Sequence, residues 1–287
     1  TTADNNTAVG KSALSVNTTG AANVSVGNYS LDANTTGGSN TAIGYNSLST
    51  NTTGSDNTAV GYNSLNLNTT ASQNTAFGRS AMAATTTGAN NVGIGYVALT
   101  ANTTGAGNTA LGFQALTTNI LASGSTAVGF RALATHNVGS AALTYNTAVG
   151  YDAGLAVTTG TQNTFVGGLA GDANTTGASN AAHGYASFSA LTTGSNNTAI
   201  GMNSGVDTTT GDNNTCLGSS AGNDLTTGTQ NIFVGYNTKP SAADDSYSIV
   251  ISTDQDSGKG ASTAFIAPNG GGVYQDNNSA SWSTTSD

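Results

Sequence analysis

Asp207 and Asp224 are the sharpest candidates for chemistry in this chain of 287 residues, because each stands six places after a repeated glycine. Stacked repeats would put the two carboxyls one coil apart, at about 5 Å, a spacing that suits a retaining glycoside hydrolase or a calcium ion. Against catalysis, the coils on either side carry no acid in that row, and isolated turn aspartates are ordinarily solvated. Nucleophilic catalysis needs a base and a group to orient it, and His136 and His183 are the only imidazoles. His183 occupies a position that is Val or Ile in other copies, so it reads as an inward polar residue or, if three chains converge there, as an axial ion site. His136 replaces a turn Asn and is expected to be exposed. Cys216 falls at an Ala position, which implies a small buried side chain rather than a reactive thiol. No catalytic set, resident metal or cofactor is expected from these residues.

What must position them is a repeat. The motif N-T-A-V-G-Y recurs with its glycine at Gly10, Gly27, Gly44, Gly61, Gly78, Gly95, Gly112, Gly129, Gly150, Gly167, Gly184, Gly201, Gly218 and Gly235. Every interval is seventeen residues except the last one before Gly150, which is twenty-one and places an insertion around Asn137 to Tyr145. Seventeen residues are too few for a helix pair and suit a β-coil. The predicted fold is therefore all-β, a parallel β-solenoid or β-roll of about fourteen coils. At the usual strand spacing of about 4.8 Å these would stack to roughly 65 Å.

Within one coil, strand alternation puts Thr41, Ile43 and Tyr45 on one face and Ala42 and Gly44 on the other. The residue before the glycine then forms an apolar ladder, represented by Val9, Val26, Ile43, Val60, Ile94, Val128, Val149 and Ile200. The small Ala/Gly face permits close approach of another wall or another chain. Asn stands four places before the glycine in thirteen of fourteen copies, with Ser125 the exception; stacked amides can hydrogen-bond along such an axis. Tyr or Phe follows the glycine in eight copies, an aromatic row that reads first as packing and second as a carbohydrate-facing surface. After Tyr236 the motif stops, dividing the chain into a repeat shaft, 1–237, and a C-terminal cap, 238–287.

Composition excludes several classes of function. Only 7% of residues are charged and the net charge is −9, so no basic stripe exists to neutralise phosphates, and neither nucleic-acid binding nor membrane insertion is expected. The chain does not begin with Met, which is expected of a segment of a longer polypeptide.

The N-T-A-[VI]-G-Y-x-[SA]-L core resembles the head repeats of trimeric autotransporter adhesins, and its longer N-T-T-G form resembles repeats in phage tail-fibre proteins. The run Ala267-Pro268-Asn269-Gly270-Gly271-Gly272-Val273-Tyr274, followed by Ser281-Trp282-Ser283-Thr284-Thr285-Ser286-Asp287, resembles the region just upstream of the intramolecular chaperone of tail fibres and tailspikes. That resemblance implies a homotrimer, a processing junction at Ser286 and Asp287, and a place on the virion, outside the cell. It implies partners among other virion tail proteins and a host-surface glycan or receptor. A bacterial cell-surface adhesin head is the alternative, with polysaccharide depolymerase and ice-binding protein behind it.

Overall fold

The computed structural model describes residues 3–268, 271–275 and 281–284. Among them there is no helix, and the chain is an all-β parallel solenoid whose turns repeat every seventeen residues. Two compact units are present, Thr1–Asn146 and Thr147–Asp287.

The first unit carries eight three-residue strands, from β1 (Thr7–Val9) and β2 (Val24–Val26) to β8 (Thr126–Val128). Each pairs in parallel with the next in strict register, as in Thr41↔Thr58, Ala42↔Ala59 and Ile43↔Val60. In the second unit, strands β9 (Thr147–Val149) to β14 (Ile232–Val234) stack in the same way. There the parallel stack outlasts the glycine motif: β15 (Ile249–Ser252) pairs with β14 through Ile232↔Ile249, and β16 (Ala264–Ala267) pairs with β15. Ser248 stands in the Asn position and Ser252 in the Gly position of this further coil, so the motif hides it. The solenoid therefore runs beyond the expected boundary at 237. What differs from the shaft is the antiparallel end, where β17 (Val273–Gln275) pairs with β16 and β18 (Trp282–Thr284) with β17.

The ladder residues do align one above another, but they line the outside. Ala42 is fully buried while Ile43 is 40% exposed, and Val9 and Ile200 are more exposed still. In most coils of the first unit the inside is the Ala two places before the glycine and the Leu four places after it, such as Ala42 with Leu48 and Ala59 with Leu65, while in the second unit Val157, Leu191 and Leu225, seven places after the glycine, are the buried aliphatic residues. The Ala face does permit close approach, and what approaches it is the opposite wall of the same coil. The interior is narrow, and a large side chain in one inward column is accommodated by glycine at a facing or stacked position. Where one enters, its partner shrinks: Phe165 at the Ala position is matched by Gly171 at the Leu position, and a Cβ on Gly171 would lie 2.5 Å from the Phe165 ring. Phe188 stands at the Leu position itself, and its room comes from Gly205 at the same position one coil on, where a Cβ would lie 2.3 Å from the Phe188 ring.

Buried asparagines close the coil. The Asn40 backbone N–H donates to Oδ1 of Asn23 one coil back (2.9 Å), and its Nδ2 donates to the Gly54 carbonyl (2.9 Å). A second Asn column meets the same acceptor: Asn51 Nδ2 donates to Gly54 (2.9 Å) and to Asn34 Oδ1 (2.8 Å). Backbone groups that a thin coil would otherwise bury without partners are thus satisfied from within. Between the two walls the chain turns through the repeated glycine, whose φ is near +132° at Gly44 and where a Cβ would lie 2.6 Å from the Gly61 carbonyl oxygen. Both constraints admit only glycine.

Candidate functional site: the outer strand face

The outward strand face is made of three parallel columns. Thr precedes the inward Ala, the aliphatic column follows it, and the residue after the glycine forms the third. In the first unit the aliphatic column reads Val9, Val26, Ile43, Val60, Phe77, Ile94, Leu111, Val128 through consecutive registers. In the second it reads Val149, Val166, His183, Ile200, Leu217, Val234, Ile251, Ile266. His183 is therefore not an inward polar residue: its strand position faces out, between Val166 and Ile200, and it is exposed.

Beside this column in the first unit runs an aromatic one. Tyr45 stacks on Tyr62 with ring centroids 5.5 Å apart and planes 10° from parallel, and Tyr96, Phe113 and Phe130 continue at 5.4 and 5.1 Å. Ring faces are consumed by their neighbours, so the column shows solvent its edges and its Tyr hydroxyls. Arg79 replaces an aromatic in mid-column and lies between Tyr62 and Tyr96, 5.7 and 5.5 Å from their centroids. In the second unit Tyr151, Tyr185 and Tyr236 are 57%, 58% and 52% exposed.

The other sequence candidates fall elsewhere. Asp207 and Asp224 are adjacent, as their spacing predicts, yet their oxygens serve the backbone and a lysine. The Asp224 N–H donates to Asp207 Oδ2 (3.1 Å), and Lys239 Nζ lies 3.3 Å from Asp224 Oδ2. Among the described residues no three of the His, Cys and Asp side chains gather as a metal-ligand set, and no helix is long and apolar enough to cross a membrane. Cys216 is fully buried at the Ala position, and burial pushes its thiol up to about 12. His136 is also fully buried, against expectation, because its position is the second inward Asn column, that of Asn102 and Asn119. Ser286 and Asp287 lie outside the described residues.

One feature escaped sequence reasoning. Asp172 is pushed above the usual carboxylate range, first by burial and then by the nearby Asp152 charge. The two are in different places of their coils, so no column pairs them. Comparison with protein-family models, curated proteins and solved structures gives no match to this chain.

Proposed function

We propose that this chain is a non-enzymatic structural and adhesive segment of a phage tail fibre, acting as a homotrimer and meeting a host-surface glycan outside the cell. The observation that carries the proposal is the outward aliphatic column in each unit. Contiguous apolar surface of this kind marks an association face rather than a solvated wall. Like copies placed in parallel would set Ile43 against Ile43 and Ile200 against Ile200, a self-complementary seam. The neighbouring third column is unsuited to the centre of such a seam, because Lys11 and Arg79 would then bury like charges against their own copies. It stays at the rim, where its hydroxyls and aromatic edges face the host surface. Weak contacts repeated on three chains add through avidity, which suits a polar, low-charge wall.

Native mass spectrometry tests the assembly. The expected mass is close to three times 28.0 kDa. Replacing Ile43 and Ile200 by Asp should reduce it to a single chain with the β-sheet circular dichroism unchanged, because both side chains lie outside the core. A wild-type chain that stays monomeric at every concentration tested overturns the proposal.

A further inference from the structure

The third column of the first unit holds a polar anomaly that packing alone does not require. A tyrosine at position 79 would continue the stack, since Tyr45, Tyr62 and Tyr96 occupy the same place in other coils. Instead an exposed guanidinium lies between two rings, in a chain with only five cations and a net charge of −9. Its Nη1 donates to Tyr96 Oη at 3.1 Å. That bond has two consequences. The guanidinium is held between the two rings, which reduces the rotamer freedom lost on binding. The Tyr96 oxygen, having accepted a hydrogen bond, turns its own proton elsewhere. Arg carries five donors, and one is used here.

We propose that Arg79, with the Tyr62 and Tyr96 hydroxyls, is a subsite for the carboxylate of an acidic glycan, a uronic or sialic acid residue. Planar carboxylates match a guanidinium edge through two parallel hydrogen bonds, and the flanking phenols are placed to meet ring hydroxyls. Sugar stacking on a ring face is unavailable, because Tyr62 faces Tyr45 on one side and Arg79 on the other. Recognition is consequently polar and charge-assisted. No Asp occupies the third column of the first unit to compete for the cation. The overall negative charge disfavours densely charged polyphosphates and leaves glycans with at most one carboxylate per sugar as the fitting partners. The subsite rests on the adhesive part of the proposed function and names the ligand class for it.

The test is titration of the assembled protein with oligogalacturonate and with sialyllactose, each beside its methyl-esterified, neutral counterpart. Arg79→Tyr extends the native column and should fold normally, while binding of the acidic forms falls about ten- to a hundredfold, the usual effect of losing a charge-assisted pair. Lys11→Asn removes the same charge from the same column, where Asn28 is already native in the next coil, and should leave affinity within about twofold if bulk charge is not the cause. Acidic-glycan binding that survives Arg79→Tyr, or equal binding of esterified and free glycans, refutes the subsite while leaving glycan adhesion intact. Binding of no glycan at all removes the adhesive function together with it.

Discussion

Phe165 and Gly171 occupy one space, and a double-mutant cycle measures that sharing. Phe165→Ala alone removes a fully buried ring and should cost about 3–4 kcal/mol, because so short a coil cannot collapse onto the void. Gly171→Leu alone places a Cβ 2.5 Å from the Phe165 ring on a backbone with φ of +57°. Left-handed strain of about 1–2 kcal/mol and overpacking of about 1–3 kcal/mol bring that variant to about 3 kcal/mol. If the sites were independent, the double variant would lose about 6–7 kcal/mol. It instead recreates the Ala and Leu pair of coils such as that of Ala42 and Leu48, where Leu48 holds a φ of +51° while fully buried. Only the left-handed strain should then remain, a loss of about 1–2 kcal/mol, so the coupling is about 5 kcal/mol. Amide hydrogen exchange of the strands at Thr147–Val149 and Thr164–Val166 reads the local stability without assuming that all coils unfold together. Additive losses in the double variant would refute the shared volume, and with it the account of why the strand's large residues lie outside.

Two further outcomes follow from the interior. Asn57→Ala leaves the buried Asn74 N–H without its acceptor (3.0 Å) and takes one of two amide donors from the Ala71 carbonyl; a local loss of about 2–3 kcal/mol is expected, and exchange rates in the coils on either side that match wild type would contradict it. The Cys216 thiol is raised by burial, so the folded chain holds its proton more tightly than the unfolded chain. That contribution is complete below the unfolded thiol's usual range and is lost as pH climbs from about 9 toward 12. Thermal melts of wild type and Cys216→Ala should diverge over that interval, since Ala is the ordinary residue of the column and the two chains differ in that one group; parallel curves would show that the thiol is accessible.

Period and register were legible in the sequence because backbone stacking repeats whatever the coil contains: Val9, Val26 and Ile43 had to align once seventeen residues made one turn. Which face was inside was not legible. Alternation assigns Thr41, Ile43 and Tyr45 to one side and Ala42 to the other without saying which is enclosed, and hydrophobicity favours burying Ile43. Width decides otherwise. A seventeen-residue coil brings its walls close, and in the first unit Ala, Leu and two Asn columns occupy the space between them, so the strand's larger aliphatic residues stand outside, and burial of polar Asn is tolerated because their amides replace missing backbone partners. The same reasoning explains the two histidines. His136 was expected outside and is enclosed because its column faces inward, while His183, read as an inward polar residue or as an axial ion site between chains, is exposed because its column faces outward. An apolar residue on the surface is by itself ordinary. A column of them, repeated from turn to turn on the outer strand face, is what the proposed association of like copies rests on, and the guanidinium set into the neighbouring aromatic column is what the proposed carboxylate subsite rests on.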